Sequence, residues 1–203
     1  MLYPEGKKVI GITGGMGSGK STVTKIFESR GAIPIYADNL AKYYTSKESP
    51  IKEELIELFG KKVLLESGEV DRKEISFQIF QNKEKLEKLT GLIHPKVRME
   101  TRKRISDAPN GSIIAWEVPL LFETGGEEIC THTVCIYIPE DLAIERVRIR
   151  DGISEKEYRN RMQFQMDIHE KFKKAEFKIE NSGSLQDLEK KSLDLYYIIR
   201  RGA

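Results

Sequence analysis

Apolar residues fall along this chain in two kinds of pattern. The first is a set of short, near-continuous runs: Val9-Ile10-Gly11-Ile12-Thr13, Ala32-Ile33-Pro34-Ile35-Tyr36-Ala37, Ser112-Ile113-Ile114-Ala115-Trp116-Glu117, Thr133-Val134-Cys135-Ile136-Tyr137-Ile138 and Glu176-Phe177-Lys178-Ile179-Glu180. β-Branched residues crowd into them and turn residues bound them, which predicts strands; unbroken apolar character suits strands covered on both faces of a parallel sheet. The second pattern has the helical period. It predicts helices over 22–30, closed by Gly31, over 39–44, and over 50–59, where Ile51, Leu55, Leu58 and Phe59 share a face. Further helices are predicted over 72–80 behind Asp71, from 83 towards 104 with a kink or restart at Pro95, and over 140–150. Ser154 with Glu157 and Ser184 with Asp187 form capping-box patterns. The last opens a helix whose Leu185, Leu188, Leu193, Leu195 and Ile198 are expected on the sheet.

Strands alternating with helices predict an α/β fold: a five-stranded parallel sheet with helices on both faces. Residues 45–110 carry little strand signal and read as a helical insertion. Residues 140–175 carry the arginines and read as a helical lid. The core is then 1–44, 111–139 and 176–203.

Between the first strand and the first helix lies Gly14-Gly15-Met16-Gly17-Ser18-Gly19-Lys20-Ser21, followed by Thr22. It fits G-x-x-x-x-G-K-[ST], the phosphate-cradling P-loop. A random chain of this length would match roughly once in a hundred, and strand, glycine loop and helix is the confirming context. Glycines let backbone amides approach phosphate oxygens, and the helix N-terminus adds its partial positive charge. Gly15, Gly17, Ser18, Gly19, Lys20, Ser21 and Thr22 are the candidate nucleotide contacts. Lys20 supplies charge for the β- and γ-phosphates, and the Ser21 hydroxyl is placed for Mg²⁺.

Asp38 ends the second strand, where loops meet the ligand crevice of an open α/β sheet. It either meets the phosphates or caps the next helix. Glu117 ends the third strand and has a comparable pair of readings, Mg²⁺ through water or a loop cap. Arg146 and Arg150 share a helical face, and arginine suits bidentate phosphate contact and stacking on adenine.

The 203 residues suggest one globular unit, with inserted subdomains. A formal net charge of +2, with signs interspersed through the 33% of charged residues, gives no bulk basic surface for nucleic acid. Cys130 and Cys135 lack metal-site spacing and read as small buried residues. The segment from Met1 to Lys8 has no apolar core for a signal peptide, and no run approaches the roughly 18 apolar residues of a membrane helix. A cytoplasmic protein without membrane or nucleic-acid partners is expected, as a monomer or small homo-oligomer.

With these residues assembled, the chain resembles the dephospho-coenzyme A kinases along nearly its whole length. The matching points, in order, are Thr13 to Thr22, Ala37-Asp38, Arg72 before a helix, His94-Pro95 and Val118-Pro119-Leu120-Leu121-Phe122-Glu123. Arg146, Arg150-Asp151-Gly152, Gln165 and Asn181-Ser182-Gly183-Ser184 follow. Members often show Asp-Ala-Asp where this chain has Tyr36-Ala37-Asp38, which puts a supporting carboxylate in doubt. The resemblance implies a nucleotide core, a helical coenzyme A domain and a lid, and transfer of the γ-phosphoryl of ATP, with Mg²⁺, to the ribose 3′-hydroxyl of dephospho-CoA. By the match, Asp38 is the base or orienting group, with Lys20 and Arg146 in the chemistry. Arg72, His94, Leu120 and Arg150 touch the acceptor, and Asn181 and Arg146 lie near adenine. Two alternatives stay open. One is another small-molecule P-loop kinase, acting on a nucleoside, nucleotide or sugar. The other is a GTPase-type switch, for which Asn82-Lys83-Glu84-Lys85 is the nearest stretch and lacks the final Asp.

Overall fold

The structure, a computed structural model, describes residues 6–202. Residues 1–5, most of the amino-terminal segment read above, and Ala203 lie outside them. The described chain divides into two compact units. One comprises Ala37–Lys103; the other holds everything before Ala37 and from Arg104 onward.

The larger unit is built on a wholly parallel sheet of β1 (Lys8–Gly14), β2 (Ile33–Tyr36), β3 (Ile113–Glu117), β4 (His132–Tyr137) and β5 (Phe177–Glu180). Their order is β2-β3-β1-β4-β5. The most apolar runs, β1, β3 and β4, take the interior places, as strands covered on both faces require. Register aligns Ile12 of β1 and Tyr36 of β2 with Glu117 of β3, so β2 and β3 end together and β1 runs on to Gly14.

Alternation along β1 sends Ile10 and Ile12 to one face. There they pack with Val23 and Phe27 of α1 (Lys20–Glu28) and with Leu188, Leu195, Tyr196 and Ile199 of α9 (Leu185–Arg201). Gly11 points the other way. A Cβ at Gly11 would lie 2.7 Å from the Cys130 sulfur and 3.0 Å from Leu121, so its bare backbone lets the segment after β3 lie close on the sheet. Cys130 and Cys135 are buried, and burial pushes both thiols up to about 12.

One expected packing face is corrected. Leu185 and Ile198 of α9 are exposed, and the buried stripe is Leu188, Ser192, Leu195, Tyr196 and Ile199. The helix begins at the Ser184–Asp187 capping box, which sets Leu185 in the first turn on the solvent side. Spacings of three and four from Leu188 then select Ser192 and Ile199 for the sheet.

The hairpin of α6 (Glu140–Asp151) and α7 (Glu155–Met162) turns at Gly152, whose φ of +68° closes α6, and restarts at the Ser154–Glu157 capping box. Ala143, Val147 and Tyr158 form its own small core with Ile138. A short helix not anticipated from the sequence, α8 (Ile168–Lys174), follows, capped by Asp167.

The smaller unit is helical: α2 (Ala37–Tyr44), α3 (Lys52–Phe59), α4 (Arg72–Gln81) and α5 (Lys83–Asp107) as far as Lys103. Asp71 caps α4 through the Lys73 and Glu74 amides. Two expectations are corrected here. Helix α2 starts at Ala37, so Asp38 sits inside the first turn and is not its N-cap. Helix α5 does not restart at Pro95 but continues through it. Proline forfeits its own bond to the carbonyl of Gly91 and crowds that carbonyl. Buried Leu89, Ile93, Val97 and Thr101 recur every fourth residue across it and hold both halves to one seam. Among the described residues no helix is long and apolar enough to cross a membrane.

Candidate active site

The glycine loop leaves β1 at Gly14 and enters α1 at Lys20. The amide ladder of α1 begins with the Val23 N–H donating to the Gly19 carbonyl, 3.1 Å, so the loop feeds into an open helix N-terminus. Gly19, the N-cap, has φ +96°, which only glycine adopts without strain. A Cβ there would also lie 2.6 Å from the Asn181 side-chain nitrogen. That nitrogen donates to the Ser18 carbonyl at 2.8 Å. Asn181 is buried and braces the loop from behind. Ser18 is buried too, its hydroxyl without a hydrogen-bond partner among the described residues.

Lys20 curls back over the loop. Its Nζ donates to the carbonyls of Gly14 (3.0 Å) and Gly15 (2.8 Å), so the ammonium stands over the glycines. The Ser21 hydroxyl donates to Oε1 of Glu117 at 2.8 Å. Glu117 is buried, and its Oε2 has no partner among the described residues. A loop-capping role for Glu117 is thereby displaced: the carboxylate at the end of β3 is turned to the P-loop serine. A hydroxyl and a half-satisfied carboxylate oxygen together fit a hard cation such as Mg²⁺, which takes few protein ligands and completes its shell with phosphate oxygens and water. Among the described residues there is no cluster of three or more His, Cys, Asp or Glu able to hold a metal.

The α6–α7 hairpin lies against this loop. A Cβ at Gly17 would meet the Ala143 carbonyl at 2.9 Å and Val147 at 3.0 Å, and one at Gly15 would sit 3.5 Å from the Met162 methyl. Arg146, between Ala143 and Val147 on α6, is half-buried. Arg150 is exposed and engaged by its neighbour: Nε and Nη2 donate to the two Asp151 oxygens at 2.8 and 2.7 Å. That hydrogen-bonded pairing, with the Asp151 charge and a further contribution from the Glu117 charge, holds the guanidinium above its usual pKa. Leu120 is half-buried, and its carbonyl accepts the Thr124 amide and hydroxyl.

Three predicted residues belong to the helical unit. Asp38 is exposed in the first turn of α2, two residues beyond the end of β2. Arg72 is exposed at the start of α4. His94 lines a cleft of about 450 Å³ on α5, with Pro95, Arg98, Met99 and Arg102. His94, Arg98 and Arg102 stand at successive four-residue steps, an imidazole and two guanidiniums in one stripe on one helix. Burial, and then the Arg98 charge, lowers the pKa of the His94 imidazole. Sequence reasoning found His94 but missed the arginines, although the spacing of four was there to be read.

It also missed Lys171 on α8, which is fully buried and paired with Glu123 at 2.8 Å. No local signal marks a lysine of a basic-looking helix as a core residue.

A parallel sheet with a P-loop at its central strand, a serine–carboxylate pair at the strand ends and an arginine-bearing hairpin beside the loop define a P-loop nucleotide-dependent kinase. The chain belongs to the dephospho-CoA kinase (CoaE) family, whose model matches residues 8–187. It is 43% identical over 193 residues to a dephospho-CoA kinase of Leptospira interrogans, covering 94% of this chain and 93% of that protein. Among solved structures it is similar to a Thermus thermophilus protein, with a TM-score of 0.81, 34% identity and coverage of 98% and 100% of the two chains. A dephospho-CoA kinase from Campylobacter jejuni gives a TM-score of 0.70, 30% identity and coverage of 97% and 98%. The family match favours this kinase over the nucleoside or sugar kinases and the GTPase switch.

Proposed function

We propose that this chain transfers the γ-phosphoryl group of ATP to the ribose 3′-hydroxyl of dephospho-CoA, forming coenzyme A. The observation that carries the reading is the pairing of Ser21 with Glu117 beside a P-loop whose lysine stands over its glycines, in a chain of this family.

The residues divide the work as follows. Backbone amides from Gly15 to Thr22 and the ammonium of Lys20 hold the triphosphate. Asn181 keeps Ser18 and Gly19 in the shape this requires, and its segment lies towards the adenine side. Ser21, with Glu117 directly or through water, would hold Mg²⁺; bound there, the ion would offset charge on the β- and γ-phosphate oxygens. Arg146 and Arg150 on the hairpin neutralise charge on the phosphoryl group in flight, once Arg150 exchanges Asp151 for phosphate. Residues 140–175 act as a lid that excludes water during transfer. Asp38 orients the acceptor hydroxyl and takes its proton. The helical region, 45–110, presents the acceptor, with Arg72, His94 and the α5 stripe for its phosphates, and Leu120 is a further candidate contact. An anionic acceptor is the class of ligand a His–Arg–Arg stripe suits.

The test is product mass spectrometry after incubation with ATP and Mg²⁺, offering dephospho-CoA, nucleosides, nucleotides, shikimate and sugars in parallel. Only dephospho-CoA should gain one phosphoryl group, at the 3′ position. A product from another acceptor with none from dephospho-CoA would overturn the reading.

A further inference from the structure

Lys171 has no assigned part in the chemistry, yet it is a fully buried charge with every donor used. Its Nζ donates to the Pro119 carbonyl at 2.7 Å, to Glu123 Oε1 at 2.8 Å and to Gln165 Oε1 at 3.2 Å. Each acceptor belongs to a larger linkage. The Pro119 carbonyl also takes the Thr13 hydroxyl, 3.1 Å, at the end of β1. Glu123 Oε1 also takes the Met166 amide, 2.8 Å. One ammonium therefore ties the end of β1 before the P-loop (through the shared Pro119 carbonyl), the segment after β3, and the 163–167 turn by which the hairpin returns to the core.

That turn begins one residue after Met162, the α7 residue whose methyl sits by Gly15. Helix α6 is set against Gly17 by Ala143 and Val147. The hairpin is thus held to the loop at its entry by packing and at its exit by Lys171. A buried ion pair adds little to stability over apolar side chains of the same volume, but its directional bonds fix geometry.

We infer that Lys171 is a positioning residue for phosphoryl transfer, setting the return end of the hairpin so that Arg146 and Arg150 meet the phosphates with water excluded. The inference rests on the kinase reading above. It implies that loosening the tie admits water to the activated phosphoryl group, which then ends as inorganic phosphate instead of on the acceptor.

The readout is a ratio, ADP formed to phosphorylated dephospho-CoA formed, at saturating ATP, Mg²⁺ and acceptor. A ratio does not change when a variant merely folds to a smaller extent. Full-length Lys171→Met and Gln165→Ala are compared with wild type, with exposed Lys173→Met as the control. Gln165→Ala removes one bond and leaves Lys171 paired with Glu123, so its folding is not at stake. Lys171→Met/Glu123→Leu removes the charge pair together, should Lys171→Met alone fail to fold. Turnover should fall about tenfold or more in the Lys171 variants, the cost of a small misplacement far from the chemistry, with the ratio rising at least about twofold. Gln165→Ala should move both in the same direction by less, and Lys173→Met should move neither. A wild-type ratio in Gln165→Ala and in the folded Lys171 variants overturns the inference and leaves Lys171 a packing residue. A wild-type enzyme that makes no phosphorylated acceptor overturns the kinase reading and this inference with it; an unchanged ratio over an active wild type overturns this inference alone.

Discussion

The sheet-bearing unit and the helical unit use their charges in opposite ways. In the first, charged groups near the strand ends are bonded inward. Lys20 rests on loop carbonyls, Glu117 accepts Ser21, and Lys171 is buried with three acceptors. In the second, the ion pairs Lys47–Glu69, Lys83–Glu87, Lys88–Glu84 and Lys96–Glu54 lie on the surface, where such pairs add little. Its distinctive charges are His94, Arg98 and Arg102 around an open cleft. The P-loop, common to many enzymes, is shaped by backbone. The α5 cleft, which we propose receives the acceptor, is lined by side chains of one helix.

Substitutions on the two sides should therefore fail differently. The largest effects are expected at the charges proposed to act on the transferred group. Lys20→Ala should raise the KM for ATP and cut turnover together, because a charge standing over the loop serves both bound ATP and the group in transfer. Asp38→Asn, isosteric and on an exposed first turn, should leave the KM for ATP near wild type while turnover falls at least about a hundredfold, the loss of a positioned base. Steady-state kinetics of the two variants side by side decide it. An Asp38→Asn enzyme with near-normal turnover would take Asp38 out of the chemistry and leave the helical unit a purely binding role.

An intermediate effect should come from the α5 stripe. Arg102→Ala removes one exposed guanidinium from the cleft, and the KM for dephospho-CoA should rise about three- to tenfold with the KM for ATP unchanged, as for a partly solvated charge-assisted contact. A rise in the ATP KM instead would break the division between the units.

The same division governs what could be read from the chain. The P-loop was legible because backbone amides do the binding and demand glycines at fixed spacing; Gly19 at φ +96° against Asn181 is that demand made visible. The five strands were legible as apolar runs, their ends displaced by at most one residue. Helix α9 was legible as a helix but not in its facing, because Ser192 and Tyr196 belong to the buried stripe and a search for aliphatic residues passes over them. Pro95 argued for a kink or a restart, and the apolar seam of α5 overrides the restart. The Lys171 node was invisible because its meaning lies wholly in partners from other segments. The cationic cleft was half visible, through His94 alone.

The smallest expected effect is also the sharpest on the helical unit, because it changes sign between two measurements. His94 has a lowered pKa in the folded chain, so between that value and the usual 6.5 the unfolded chain binds a proton that the native one refuses. Stability therefore falls as pH drops through this window. His132, also lowered, chiefly by burial, contributes in the same direction and remains in any His94 variant. His94→Gln should thus lose part, not all, of the decline in Tm between pH 7 and pH 5. The sign of the difference between the two curves is the readout. Acceptor binding should run the other way. An anion in the cleft favours the imidazolium, so dephospho-CoA should bind more tightly as pH falls through the same window, and His94→Gln should flatten that slope. Thermal denaturation and calorimetric titration over one pH series read both. Parallel wild-type and variant curves in the two experiments would remove His94 from the acceptor site and return it to the role of a packed histidine beside Arg98.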